Sequence, residues 1–283
     1  MNKIAIVGDT SQDLTFEIAK EKNVELISYY IERDGQSLKD LLEIDSNEFY
    51  STIDNYKELT TGVPPVADGL ELIERLKNEG YTDVICLASS SKLTGMVGMY
   101  NSIKQMVEGI DITIVDTDLI ASAAGIVVLE AARLRDQGKT KEEILSYIDK
   151  MCSQVSILAV FKTLKYLVKG GRFNKYKGMI GNLLNINPII TLKSGELEMV
   201  DKVRGSKKSI ATLVKIIEDS ADDCNSYKLV LFHAEDFEDY ENFKSSLQSV
   251  INKADEVIET RITSVLGVHT GPQTIGATLL KLS

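Results

Sequence analysis

Asp83-Val84-Ile85-Cys86-Leu87-Ala88-Ser89-Ser90-Ser91-Lys92-Leu93-Thr94-Gly95 is the stretch on which the fold turns. Asp83 to Ala88 reads as a short apolar strand, and a helix is expected from about Thr94, after a loop of hydroxyls. The flanks repeat the pattern. Upstream, Gly69 to Gly80 carries Leu70, Ile73 and Leu76 at helical spacing, and Lys3 to Val7 and Val24 to Ile31 read as strands. Thr10 and Ser11 can cap a helix expected near Asp13. Downstream, Ile112 to Val115 reads as a strand and Ala121 to Gln137 as an Ala-rich helix ending at Gly138. A further helix from Thr140, with Glu142 and Glu143 in its first turn, leads to the strand Ile157 to Val160. Short strands alternating with helices predict a parallel α/β domain.

The second half has another texture. Ile189 to Leu192, then Lys193-Ser194-Gly195-Glu196, then Leu197 to Val203 reads as a β-hairpin, so antiparallel neighbours are expected there. Helix patterns over Lys207 to Ala221 and Tyr240 to Lys253 flank the strand Lys228 to Phe232, and Val257 to Ile262 reads as the last strand. Pro272 stands where the first turn of a closing helix is expected. The overall expectation is an α/β fold of two domains: residues 1–160 with a mainly parallel sheet, and residues 161–283 with a mixed sheet containing the hairpin. That boundary rests on the change of pattern.

Composition narrows the function. The 283 residues include 43% hydrophobic and 26% charged side chains, a globular balance, and a net charge of −10. Such a charge opposes general binding to nucleic acid or to an anionic membrane. No apolar run reaches the length needed to span a bilayer, and the start Met-Asn-Lys-Ile-Ala-Ile-Val-Gly-Asp meets an acid before a signal core could form, so a cytoplasmic protein without stable membrane insertion is expected. Three scattered cysteines, Cys86, Cys152 and Cys224, suggest reduced core thiols and no disulfide framework.

The common catalytic signatures are missing. There is no G-x-G-x-x-G and no G-x-S-x-G. Gly138-Lys139-Thr140 resembles the end of a phosphate-binding loop, but Arg133 occupies the place of its first glycine and the segment joins two helices. With only His233 and His269 in the chain, and no ligand spacing around them, no metal site is indicated. His233 reads as a strand-end histidine with satisfied hydrogen bonds. No catalytic residue and no cofactor are assigned.

Three polar loops remain. They are Thr60-Thr61-Gly62-Val63-Pro64-Pro65, Ser89 to Gly95, and Gly267-Val268-His269-Thr270-Gly271-Pro272. The second leaves the carboxyl edge of a parallel strand and enters a helix, where α/β proteins bind ligands and where backbone N–H groups favour an anion. The third is expected to lead into the last helix. Singly, each loop has an ordinary explanation, since Ser and Thr cap helices and shape turns. Together, hydroxyls and one imidazole without a nucleophile–base motif suit holding a carboxylate or phosphate.

In order along the chain, these residues resemble the DegV family. Gly8-Asp9-Thr10-Ser11-Gln12-Asp13-Leu14 is similar to its aspartate–hydroxyl–leucine start. Thr61-Gly62-Val63-Pro64-Pro65 stands where the family shows Thr-Ser-Gln-Pro-Ser, and Ser90 to Met96 resembles Ser-Ser-x-Leu-Ser-Gly-Thr. Val115-Asp116-Thr117, Lys169-Gly170-Gly171-Arg172 and Val268 to Pro272 complete the series. The resemblance implies a fatty-acid-binding carrier serving a bacterial fatty-acid kinase, which forms an acyl phosphate. It further implies that Thr61, Thr94, Gly95, His269 and Thr270 hold the carboxylate of a long-chain fatty acid, with the acyl chain in an apolar tunnel between the two domains. Met179 to Ile186 reads equally as tunnel wall or as an ordinary core helix. This chain departs from the family at Gly62, Val63, Met96 and Gln273, and Ala123-Ala124-Gly125 replaces a Gly-x-Gly, so fewer headgroup donors are expected. Two other classes stay open: an enzyme acting on a small carboxylated or phosphorylated substrate with His269 as acid or base, and a regulatory interaction module.

The charge is uneven. Lys162 to Lys208 holds eleven basic residues and three acids, a net of +8, which leaves −18 for the remainder. Such a run reads either as a solvated face or as a docking surface for the kinase, with Arg172 and Arg204 as its candidate contacts.

Overall fold

The computed structural model describes residues 3–176, 178, 186–235 and 238–282. Strand β1 (Ile4–Asp9) is buried along its whole length, so its apolar run has no polar face to alternate with. It lies at the heart of a parallel sheet with β2 (Glu25–Ile27), β6 (Asp83–Ala88) and β7 (Asp111–Asp116), in the order β2-β1-β6-β7. All four strands point their carboxyl ends to one edge. The helix expected near Asp13 is instead a 3-10 turn, Thr10–Gln12, capped by the Asp9 side chain. Asp13 then takes a left-handed conformation, φ 53°, that stops it, and helix α1 (Phe16–Glu21) starts only after Thr15 caps it.

The expected strand from Val24 to Ile31 is divided. Ser28 and Tyr29 turn the chain out of the parallel sheet, and β3 (Tyr30–Arg33) belongs to a separate antiparallel sheet with β4 (Gln36–Lys39) and β5 (Leu59–Gly62). Helix α2 (Ser46–Thr52) lies between β4 and β5. Helices α3 (Val66–Asn78) and α4 (Met96–Met106) come after β5 and β6.

Helix α5 (Ser122–Asp136) buries eleven of its fifteen residues. Its small residues permit this: a Cβ on Gly125 would sit 2.2 Å from the carbonyl oxygen of Gln12, so only glycine lets the helix reach the turn after β1. Helix α6 (Lys141–Cys152) begins with the Thr140–Glu143 capping box and leads to β8 (Val155–Phe161).

A short helix, α7 (Lys165–Lys169), precedes the hairpin of β9 (Ile186–Lys193) and β10 (Glu196–Arg204). Both strands belong to a six-stranded mixed sheet with β8, β11 (Tyr227–His233), β12 (Glu256–Arg261) and β13 (Thr274–Lys281), in the order β10-β9-β8-β13-β11-β12. Residue 160 therefore falls inside a strand whose hydrogen bonds go to β9 and β13. Helix α8 (Ser206–Asp222) matches its pattern. The helix expected over Tyr240 to Lys253 is two, α9 (Glu238–Ser246) and α10 (Gln248–Lys253), because the Leu247 N–H is shared between the carbonyls of Phe243 and Lys244 and tightens the turn.

The chain end differs most from expectation. Helix α11 (Ser264–Thr270) lies before Pro272, and in place of a closing helix the chain runs into β13, antiparallel to both β8 and β11. Pro272 bars continuation of α11, and the β-branched Thr274, Ile275 and Thr278 favour a strand. Seven of its eight residues are buried, so no alternation advertises it.

The six-stranded sheet is covered on both faces. One face packs with α8, α9 and α10, through Leu158, Val160 and Leu231. The other shares a continuous core with the parallel sheet, through α5. Ser122 Oγ meets Thr278 Oγ1 at 2.8 Å, and Lys228 Nζ donates to Glu130 at 2.6 Å, so α5 is bonded to β13 and β11. Cys86 is buried, whereas Cys152 and Cys224 are only partly so; all three thiols are free.

Candidate functional site

The carboxyl edge of the parallel sheet faces the six-stranded sheet, and a cavity of about 1000 Å³, its mouth included, lies between them. Strand periodicity builds its wall. Ile157, Ala159 and Phe161 alternate along β8 and point in, while Leu158 and Val160 point to the opposite core. Ile190 and Leu192 of β9, Leu197 of β10 and Phe232 of β11 extend this apolar surface. Val265 and Leu266 of α11 close it from the other side.

One end is polar. Thr61 comes from the end of β5, Thr94 and Gly95 from the approach to α4, and His269 and Thr270 from the last turn of α11. All five residues expected at a carboxylate site line this one cavity. Thr61 Oγ1 lies 2.9 Å from His269 Nε2, across 208 residues of chain.

The ring of His269 is held by close packing. A Cβ on Gly170 would come within 2.1 Å of Nδ1, so the glycine of the Gly-Gly-Arg segment makes room for the imidazole. Burial, helped by the nearby Arg172 charge, pushes the His269 pKa down to about 3. The ring is thus neutral near pH 7, a hydrogen-bonding group without charge. Thr94 Oγ1 makes only long contacts to backbone, 3.5 Å to the Ser89 carbonyl and 3.4 Å from the Met96 N–H, and its hydroxyl adjoins that of Tyr29.

Two acids orient this arrangement from behind. Asp13 accepts the Ser122 N–H at 3.0 Å, at the start of α5, and the Thr263 N–H at 3.1 Å, just before α11. It thereby fixes the helix that carries His269. Asp9 accepts from the Ser11 N–H at 2.8 Å and the Ser11 hydroxyl at 2.5 Å. Burial raises the pKa values of Asp9, Asp13 and Asp40 to about 7, against the hydrogen bonds that lower them.

Arg172 and Arg204 part company. Arg172 is half-buried, lines the cavity beside His269, and donates to the Gly170 carbonyl at 2.6 Å; burial lowers its pKa. Arg204 is exposed at the end of β10, near Lys202 and Lys208. Of the positions that depart from the family pattern, Val63 lines the cavity, Met96 is fully buried in the core and Gln273 is exposed. The segment Met179 to Asn185 lies outside the described residues. Ser11, Asp13 and Tyr29 line the cavity without having been expected there. In sequence, Ser11 and Asp13 read as helix-start residues, and Tyr29 falls within the expected strand Val24 to Ile31.

His233 does end a strand, its ring tilted by 35° against that of Tyr240 at 4.3 Å between centroids, but its Nδ1 has no hydrogen-bond partner among the described residues. Among those residues no group of three or more His, Cys, Asp or Glu side chains is placed to hold a metal ion, and no helix is long and apolar enough to cross a membrane.

Fold and site together define an α/β protein with a mainly apolar cavity whose polar end gathers hydroxyls, a neutral imidazole and the Arg172 guanidinium. The chain belongs to the DegV family: the model described as "Uncharacterised protein, DegV family" matches residues 3–282. A DegV domain-containing protein of Clostridium acetobutylicum is 32% identical over 287 residues, covering 99% of this chain and 100% of the relative. Among solved structures, a fatty-acid-binding DegV family protein from Thermus thermophilus superposes with a TM-score of 0.91 at 25% identity, covering 99% of this chain and 100% of that one. A DegV lipid-binding protein from Thermotoga maritima gives 0.86 at 27% identity, with 99% of each chain covered.

Proposed function

We propose that this protein carries one long-chain fatty acid and presents its carboxylate to a partner kinase, which uses ATP to make the acyl phosphate. The observation that supports this reading is the Thr61–His269 pair at the polar end of a mainly apolar cavity. Two structural relatives at 25% and 27% identity are described as binding fatty acid and lipid. In this reading residues 1–160 supply Thr61, Thr94 and Gly95, residues 161–283 supply His269 and Thr270, and the carboxylate sits where the two units meet. The protein itself is a carrier, not a catalyst, and works in the cytoplasm with no nucleic-acid partner. Arg204 and its basic neighbours form the docking face for the kinase, and Arg172 acts at the headgroup.

Magnitudes divide the labour. Roughly fifteen buried methylenes at about 0.8 kcal/mol each offer on the order of 12 kcal/mol before ordering costs, while one hydrogen bond to a charged group nets about 1.5 to 3. The tail sets affinity and the polar end sets orientation. Native mass spectrometry of the protein purified from cells, with identification of the extracted lipid, tests this. A fatty acid at one per chain is expected; a ligand-free protein that also takes up no added palmitic acid overturns the reading.

A further inference from the structure

The hydroxyls around the cavity are mostly spent. Ser11 is bonded to Asp9 and to Ser89, Thr191 Oγ1 donates to the Ile157 carbonyl at 2.7 Å, and Thr274 Oγ1 donates to the Thr270 carbonyl at 2.9 Å. Gly62, Val63 and Met96, beside Thr61 and Thr94, have no hydroxyl to offer. Tyr29 is different. It lines the same cavity and is 4% exposed, and its hydroxyl, although beside those of Thr94 and Ser11, makes no hydrogen bond of good geometry among the described residues. A buried phenol without a partner is costly, and in a native protein it signals a missing one.

The placement of Tyr29 is fixed by its backbone. Its N–H donates to Thr10 Oγ1 at 3.1 Å and its carbonyl accepts the Asp40 N–H at 2.9 Å, where the chain crosses from β2 to β3. The side chain therefore reaches the polar end from a rigid base. The hydroxyls of Thr94 and Ser11 adjoin its oxygen, and the charges of Asp9 and Arg172 act on it. Asp9 keeps one oxygen, Oδ2, without a partner among the described residues. With burial raising Asp9 to about 7, its repulsion of a carboxylate is weakened.

We infer that the Tyr29 hydroxyl is a headgroup donor of this pocket, completing with Thr94 and the Thr61–His269 pair the set that holds the ligand's carboxylate. The inference rests on the proposed carrier function. Its recognition chemistry is a phenol donating to a carboxylate oxygen in a dry site, a bond that discriminates an acid from a neutral headgroup on the same tail.

Tyr29→Phe keeps the ring and removes only the donor. Uptake of palmitic acid and of 1-hexadecanol by wild type and variant is compared. The preference for acid over alcohol is expected to fall about tenfold in Tyr29→Phe, the effect of one hydrogen bond to a charged acceptor. Wild type that takes up palmitic acid, with a variant of unchanged preference, overturns the inference alone; wild type that takes up no palmitic acid overturns the carrier reading and this inference with it. If the variant does not fold, a crystal structure of wild type with palmitic acid decides. A carboxylate oxygen about 3 Å from the phenol oxygen supports the inference, and one beyond hydrogen-bond reach overturns it.

Discussion

Set the wall of the cavity beside its polar end. The wall comes from alternate inward residues of β8 and β9, near neighbours in one sheet, and any apolar side chain of similar size would serve. The polar end draws Thr61 from β5, Thr94 and Gly95 from the loop before α4, and His269 and Thr270 from α11, and Thr61 and His269 must arrive within hydrogen-bond distance of each other. The wall is expected to tolerate more variation than the Thr61–His269 pair. A protein built this way can change the tail it accepts by exchanging apolar residues, while its handling of the headgroup stays tied to the fold.

The largest effect is expected from filling the wall. Ala159 faces the cavity in register with Gly276, and Ala159→Trp is predicted to reduce palmitic acid uptake by about a hundredfold or more, because the tail term is removed together with its space. Uptake by the folded variant is measured with radiolabelled palmitic acid; near-normal binding would show that the tail runs elsewhere.

Next come changes at the polar end. Gly170→Ala pushes a methyl into the His269 ring, and Thr61→Ala removes its partner. Each is predicted to lower acyl-phosphate formation about tenfold while tail binding falls less. Equal losses in both assays would break the division between wall and end. A smaller effect separates the arginines. Arg204→Glu is predicted to slow phosphorylation a few-fold and leave uptake intact, since complementary surface charge acts mainly on encounter rates. Arg172→Glu, at the cavity, is predicted to impair both.

A further effect concerns stability. Asp9 has its folded pKa raised to about 7 from 3.8, so the folded protein holds that proton more tightly than the unfolded chain. Stability is therefore expected to rise as pH falls from about 7 toward 4, and Asp9→Asn to make the urea-midpoint profile less steep over that window, with Asp13 and Asp40 supplying the slope that remains. Below it the ion pairs of Asp83 and Glu130, whose pKa values are lowered, begin to fail and stability drops again.

Much of the wall's scaffold was legible in the sequence, and for a physical reason. β1, β6 and the hairpin strands are runs whose apolar content or turn chemistry shows locally, and the capping signals around Thr140 are local as well. β13 was not legible, since a strand buried on both faces has no period and Pro272 imitates a helix start. The small sheet of β3, β4 and β5 hid in a polar stretch, because four-residue strands leave too little pattern to read. At the site, Thr61, Thr94 and His269 stood out as hydroxyls and an imidazole in loops. Tyr29 did not, because it fell within an expected strand with no polar motif around it, and its placement at the cavity comes from the turn at Ser28 and Tyr29 that leaves the parallel sheet. Arg172 and Arg204 share one basic window, and nothing in spacing tells the half-buried one from the exposed one.

The tight seat of α5 on the turn after β1 has a consequence for how the protein comes apart. With eleven of fifteen residues buried and bonds to β11 and β13, this helix belongs to the cores of both sheets at once. Neither half can melt without stripping cover from a helix the other half depends on. Heat should therefore produce one cooperative transition, and a chain cut near residue 160 should yield two fragments that aggregate apart and regain their shape only when mixed.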